Sequence, residues 1–538
     1  MKRIFALFVA LVVAGAVMAA ECVIVPRPVS FEPQKGKVTL NSKSVVYVAD
    51  KSLVRPATIF CSYVAAEKGL QLSVVEKQPK GKGVISLSID KSLAEEEYLL
   101  DVTKRGVFVI GGSEKAVFYG LQSLRQLVFH SEGDAKKVSV ECVTVKDKPH
   151  FSYRGGMLDV CRHFFNVEEV KQFIDILALH KANRFHWHLT EDQGWRIEIK
   201  KYPNLIKVGS QRKETISGWH HTRPRVYDGK PYGGFFTQEE VRDIVRYATE
   251  RYIEVIPEVD MPGHMVAALA SYPELGCTKG PYEVRTTWGI SRDVLCAGRE
   301  STFEFVEGVL SEIIELFPSK YIHIGGDECP KHRWKVCPDC QKRIKEEGLK
   351  DEFELQSYFI HRVEKYLAQH GRSIVGWDEI LEGGISKTAT IMAWRGPQHG
   401  IKAAKLGNKV IMTPKTHCYL DYAQTSNREA NNEPICGGRN GKRPLPLRKV
   451  YSFDPYDQLN EEERKIVLGV QGNLWTEYVP NFDHAMHMTL PRLAAIAEVG
   501  WSYGNKDYED FSRRMHLLRK LYDKCGYKYA PYFYNGIE

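Results

Sequence analysis

The chain has 538 residues, 43% hydrophobic and 26% charged, with 75 basic and 67 acidic side chains and a formal net charge of +8. That composition excludes a disordered chain, a collagen-like chain and a coiled coil, and the mean hydropathy of -0.34 argues against a multi-span membrane protein. The charges are mixed along the sequence and form no basic block, so no nucleic-acid partner is expected. At ordinary domain sizes the length holds about two to four domains.

The chain opens with a basic pair, Lys2 and Arg3, followed by an apolar stretch from Ile4 to Ala20 that ends in small residues. This is the pattern of a signal peptide over residues 1–20, cleaved on export to the periplasm or the medium. Cys22 raises a lipid anchor as the lesser alternative, because Glu21 stands where lipoprotein signals usually carry a small residue. No membrane span is expected.

Residues 21–150 read as a small α+β domain. Strand-like runs occur at Val45 to Val48, Val84 to Ile89, Val107 to Ile110 and Val138 to Val143, with helical stretches near Val54 to Lys68 and Ala116 to Phe129. All nine tryptophans lie between Trp187 and Trp501, and the Lys146 to His150 stretch reads as a linker. From 151 to 538 the pattern becomes strand and helix in alternation. Buried strands are expected at Met157 to Val160, Arg184 to Leu189, Glu254 to Val259, Tyr321 to Ile324, Ser373 to Gly376, Thr390 to Ala393, Lys409 to Met412 and Val467 to Val470. Capping boxes are expected at Asn166/Glu169, Thr237/Glu240, Ser301/Glu304 and Asp351/Glu354. Eight strands in this alternation favour an α/β fold of the (β/α)8 TIM-barrel type. A doubly wound open sheet is the runner-up, but no phosphate-binding glycine loop is present.

In such a barrel chemistry sits at the C-terminal ends of the strands. Asp159 and Arg162 follow the first strand, Glu191 and Asp192 the second, and Asp260 and His264 the third. Asp327 and Glu328 follow the fourth, Trp377 and Asp378 the fifth, and Trp394 the sixth. Tyr419 and Asp421 follow the seventh, and Trp475 and Glu477 the eighth. Singly, each has a plain reading as core or cap. His186 and His188 share a strand face and read as buried, hydrogen-bonded histidines before they read as a metal pair. Together, the carboxylates and indoles suit a sugar, whose apolar faces stack on rings and whose hydroxyls donate to carboxylates.

Asp327-Glu328, after Gly325-Gly326, is the sharpest motif. Adjacent carboxylates repel, so one is expected to hold a proton near neutrality, which is the profile of a general acid. Ordinary glycosidases flank the scissile bond with two separated carboxylates. Two consecutive ones point instead to a substrate that supplies its own nucleophile. Just downstream, Cys329, Cys337 and Cys340 lie near His323 and His332; a Cys3His zinc site is conceivable, but a local disulfide plus a buried thiol is the favoured reading.

Eight separated blocks then fall into place. They are GGMLDVCRHFF (155–165), HKANRFHWHLTEDQGWRIEIKKYP (180–203), PEVDMPGH (257–264), HIGGDE (323–328), GWDEI (376–380), AWRG (393–396), YLD (419–421) and LWTE (474–477). In this order they resemble the glycoside hydrolase family 20 β-N-acetylhexosaminidases, over nearly the whole mature chain, and FYGLQSLRQL (118–127) is similar to the small domain that precedes their barrel. The resemblance implies exo-acting, retaining removal of terminal β-linked N-acetylhexosamine from a glycan, with no metal and no organic cofactor. Glu328 would be the general acid and base, and Asp327 would orient the substrate's 2-acetamido group as it attacks the anomeric carbon. Tyr419 would donate to the acetamido oxygen. Trp377, Trp394 and Trp475 would wall the pocket, while Arg162, Asp421 and Glu477 would bind hydroxyls. His264, with Glu191, would support Glu328. Family members frequently carry Asp at the Glu191 position, and Asp192 is the alternative partner. A conventional retaining β-glycosidase and a catalytically silent sugar-binding barrel are the competing readings.

Overall fold

The computed structural model describes residues 21–427 and 435–537; the expected signal segment lies outside them. Eight parallel strands close into a barrel in sequence order. They are β1 (Tyr153–Asp159), β2 (Arg184–His188), β3 (Glu254–Glu258), β4 (Tyr321–His323), β5 (Ser373–Trp377), β6 (Thr390–Ala393), β7 (Val410–Met412) and β8 (Val467–Leu474). β8 returns beside β1, with Gly469 opposite Tyr153 and Leu474 opposite Leu158. Parallel strands covered on both faces lose water from every side chain. Accordingly every residue of β1 and β7 is buried. Tyr153, Ile256, Val375, Trp377, Met392 and Ile411 fill the barrel interior. All eight expected strands are present, and the architecture is the expected TIM barrel.

Two of the expected capping boxes form in full, at Asn166/Glu169 and Thr237/Glu240. Asp351 caps its helix, but Glu354 turns its carboxylate to the Lys350 N–H instead of the cap's own. Ser301 is not a cap. The helix Glu300–Leu316 starts earlier, because Arg299 is fixed by Asp339 and by the carbonyls of Glu274 and Gly276.

Before the barrel lies a mixed sheet. Its strand order is Ser30–Asn41, Lys137–Asp147, Tyr98–Val102, Gly106–Gly111, Val84–Ile89, Val45–Val48 and Ser73–Val75. The helices Val54–Lys68 and Glu114–His130 pack against it. Asp147 ties this sheet to the barrel. Its carboxylate accepts from Tyr98 Oη at 2.6 Å, Lys181 Nζ at 3.0 Å and Trp501 Nε1 at 2.8 Å. Among the described residues no helix is long and apolar enough to cross a membrane.

Candidate active site

All eleven expected site residues lie at the C-terminal ends of the eight barrel strands or on the segments that follow them. β4 ends at His323, and the chain then turns through Gly325 (φ +65°) and Gly326 (φ +92°). A Cβ at Gly325 would collide with Asp260 Oδ1, which accepts the Gly326 N–H at 3.2 Å. These two glycines let the backbone fold down against β3, and Asp327 and Glu328 emerge side by side. Glu328 itself sits at φ 43°, and His264 at φ 53°, a region that side-chain-bearing residues seldom occupy and that clusters at functional sites.

His264 stands between two groups of carboxylates. Its Nδ1 lies 2.8 Å from Glu191 Oε1, and its Nε2 lies 3.6 Å from Glu328 Oε2 and 3.8 Å from Asp327 Oδ2. Glu191, not Asp192, faces the imidazole. Asp192 instead accepts from Arg285 Nη1 at 2.9 Å and from the Val266 N–H at 3.0 Å. The longer Glu191 also pairs with Arg162 Nη2 and accepts the Asp192 N–H at 2.6 Å. Burial opposes its charge, but Arg162 and His264 outweigh burial and hold Glu191 at about 2. Burial likewise opposes the imidazolium of His264, but Glu191 and Glu328 beside it hold its pKa well above the ordinary value.

Asp327 is pushed upward, by burial and then by Asp260 and Glu328 nearby. Its Oδ1 is buried without a protein partner. Glu328 is more open, with a third of its side chain exposed.

The aromatic residues form a connected wall. Trp475 lies 5.7 Å from Trp377 and 6.3 Å from Tyr419, and Tyr419 stacks on Trp394 at 6.0 Å and 15°. Two of the rings are anchored from behind. Trp377 Nε1 donates to Glu258 Oε1 at 2.8 Å, and Trp394 Nε1 donates to Glu379 Oε2 at 2.9 Å. Trp377 is fully buried and so makes the floor. Arg162 is held by Asp159 Oδ2 at 3.1 Å as well as by Glu191, and its guanidinium lies 5.0 Å from the Trp475 ring. Asp421 Oδ1 is buried without a protein partner, and burial with Glu477 close by raises the Asp421 carboxyl well above its ordinary value. Burial also raises Glu477, against the pull of Arg162.

Two functional supports are absent from the sequence reading. Glu258, at the end of β3, lies 2.8 Å from His186 Nε2, 2.5 Å from His188 Nδ1 and 3.1 Å from His323 Nδ1. Burial opposes its charge, but the three histidines hold Glu258 ionised, well below the usual carboxylate range. His188 is thus a hydrogen-bonding partner of a buried carboxylate, and His186 lies against the same group. Glu379 is the second support; burial, with Asp327 and Asp378 close by, pushes it up to about 8. The quoted blocks contained both residues, but no spacing rule distinguishes them from ordinary strand and loop carboxylates.

Two clefts open on the site. One of about 860 Å³ reaches Glu477 and is lined by His163, Tyr232, Trp288 and Tyr478. The other, of about 370 Å³, includes Glu328, Lys331, Glu379 and Arg395.

Residues 151–503 match the glycosyl hydrolase family 20 catalytic domain, and residues 21–148 match domain 2 of that family. The chain belongs to glycosyl hydrolase family 20. It is similar to a β-hexosaminidase of Porphyromonas gingivalis, 45% identical across 94% of this chain and 64% of the relative, so it spans under two thirds of that protein. A β-hexosaminidase of Akkermansia muciniphila is 36% identical across 79% of this chain and 83% of its own length. Among solved structures, a family 20 exo-β-N-acetylglucosaminidase from Vibrio harveyi in complex with N-acetylglucosamine superposes with a TM-score of 0.84. It is 31% identical and covers 95% of this chain and 78% of its own. A β-N-acetylhexosaminidase from Bacteroides fragilis gives a TM-score of 0.78 at 31% identity, over 94% of this chain and 97% of its own.

Proposed function

We propose that this family 20 protein is an exo-acting, retaining β-N-acetylhexosaminidase whose substrate supplies the nucleophile. The observation that carries this is the Asp327-Glu328 pair. Consecutive residues on one turn cannot flank a scissile bond from opposite faces, as acid and enzymic nucleophile must.

In this reading the terminal sugar stacks on Trp475, with its acetamido group between Trp377, Trp394 and Tyr419. Glu328, at the edge of the smaller cleft, protonates the departing oxygen. The acetamido oxygen closes on the anomeric carbon from the other side, forming a cyclic oxazolinium-like cation. Asp327 accepts the acetamido N–H and balances the charge that develops there. The N–H fills the unpartnered Oδ1 and favours the carboxylate over the acid that burial promotes in the open site. Glu328 then takes a proton from the water that reopens the ring, which restores the original anomeric configuration. His264, charged and fixed by Glu191, keeps Glu328 oriented. Tyr419 donates to the acetamido oxygen, and Arg162, Asp421 and Glu477 hold hydroxyls. Export by residues 1–20 delivers the enzyme outside the cytoplasm, where glycans ending in β-N-acetylhexosamine are its substrates.

Purified protein assayed on p-nitrophenyl β-N-acetylglucosaminide beside the matching β-glucoside tests the reading. Cleavage confined to the acetamido sugar is the expected result. Comparable cleavage of both would mean that the protein brings its own nucleophile.

A further inference from the structure

Four cysteines converge behind the active-site rim. Cys277 and Cys296 come from the long loop after β3, and Cys337 and Cys340 from the loop after β4. Their sulfurs all lie within 4.8 Å of one another, and three of the four side chains are buried. The Sγ separations are 3.8 Å for Cys277–Cys340, 3.7 Å for Cys296–Cys337 and 3.6 Å for Cys296–Cys340.

A disulfide brings two sulfurs to about 2.05 Å and excludes a third. Here Cys296 is equally close to Cys337 and Cys340, and Cys340 is equally close to Cys277 and Cys296, so no exclusive pairing exists. Four sulfurs about 2.3 Å from a tetrahedral zinc ion stand about 3.8 Å apart, which is the spacing observed. The expected local disulfide therefore does not form. Cys329, His323 and His332 also drop out of the set; His323 faces Glu258 instead.

The surroundings suit thiolates. Cys337 is the N-cap, and Cys340 the third residue, of the helix Pro338–Glu346, whose N-terminal dipole favours negative charge. Arg299 lies alongside, bonded to Asp339 Oδ2 at 2.6 Å and to the Gly276 carbonyl at 3.0 Å. The two loops also meet without room to spare: a Cβ at Gly298 would overlap the Asp339 carbonyl and the Cys340 nitrogen.

We propose that Cys277, Cys296, Cys337 and Cys340 form a structural zinc site that clamps the loop carrying His264 to the loop carrying Asp327 and Glu328. Binding exchanges four S–H protons to solvent for four Zn–S bonds, with no change of oxidation state. The path from metal to site is short. The Leu295 N–H, next to Cys296, donates to the Pro262 carbonyl at 3.0 Å, two residues before His264. Trp334 Nε1, on the Cys337 side, donates to the Leu295 carbonyl at 2.9 Å. The ion takes no part in the reaction; it fixes the distance between the two loops. In an oxidising compartment it also keeps four thiolates from pairing with one another.

The test is elemental analysis of the full chain purified without reductant or chelator, with intact mass measured on the same sample. About one zinc per chain is expected. In the Cys337→Ser/Cys340→Ser double variant zinc should fall below about a tenth per chain, whereas Cys61→Ser, in the preceding domain, should retain it. The wild-type measurement stands even if the double variant fails to fold. Metal-free protein lighter by four hydrogens would show two disulfides and overturn the proposal. Metal-free protein in which all twelve thiols titrate after denaturation would overturn it equally, and iron in the wild-type protein would overturn the zinc assignment.

Discussion

Glu191 shows how one side chain sets the chemistry of its neighbours. It is buried, yet it carries a full charge, because Arg162 and His264 approach the same carboxylate. Its value in the folded protein, about 2, lies below the ordinary 4.5. The ionised form therefore stabilises the fold fully above pH 4.5, and that contribution is lost as the pH falls toward 2. The gap corresponds to about 3 kcal/mol. Glu191→Gln is accordingly expected to unfold in urea about 3 kcal/mol more readily than wild type near neutrality, with the difference closing as the pH drops below 4.5 toward 2. A gap of constant size across that window would contradict this account of the Arg162–Glu191–His264 group. The sequence placed Glu191 and Asp192 beside His264 without separating them. Only the backbone could separate them, by turning Asp192 toward Arg285 and the Val266 N–H.

At the scale of the element, the turn after β4 does the positioning. Gly325 takes a left-handed φ with the Asp260 carboxylate packed where a Cβ would be. Gly325→Ala should therefore push the Asp327-Glu328 turn off β3. The expected outcome is a fall in kcat of about 100-fold or more with the barrel still folded, since misplacement of about 1 Å costs on that order. Activity within a few-fold of wild type, with unchanged circular dichroism, would mean that the turn is not under this constraint. The strands themselves were legible because parallel barrel strands are buried on both faces and read as runs of β-branched and aromatic residues. Strand Ser30–Asn41 was not legible. Its sequence, SFEPQKGKVTLN, is half exposed and shifts register between Pro33 and Lys37, so no alternation survives. The cap at Ser301 failed for a related reason, because Arg299's tertiary bonds fixed the helix start.

At the scale of the whole molecule, the two layers of the chain are joined through buried charge. Asp147 accepts from Tyr98 in the preceding sheet, from Lys181 between β1 and β2, and from Trp501 near the C-terminus. Both Asp147 and Lys181 are fully buried. Removing one partner leaves an uncompensated charge, which typically costs about 3–5 kcal/mol. Asp147→Ala should lower the unfolding midpoint in urea accordingly, with kcat per folded molecule unchanged because the site lies at the far end of the strands. A midpoint equal to wild type would show that the two layers are held by apolar contact alone. This joint was invisible in the sequence, where Asp147 sits in a stretch that reads as a linker. The cysteine cluster was hidden for the same reason: Cys277 and Cys296 stand 63 and 44 residues before Cys340, and local spacing grouped Cys337 and Cys340 with Cys329 instead.

The central claim is that the acetamido oxygen of the substrate is the nucleophile. The most direct measurement is kcat/KM for p-nitrophenyl glycosides whose acetyl group carries none, one, two or three fluorine atoms. Fluorine drains electron density from that oxygen and leaves the glycosidic bond and the leaving group alone. If Asp327 and Glu328 work as described, kcat/KM falls steeply and in order across the series. A rate that stays level as fluorine is added would place the nucleophile on the protein and contradict the account.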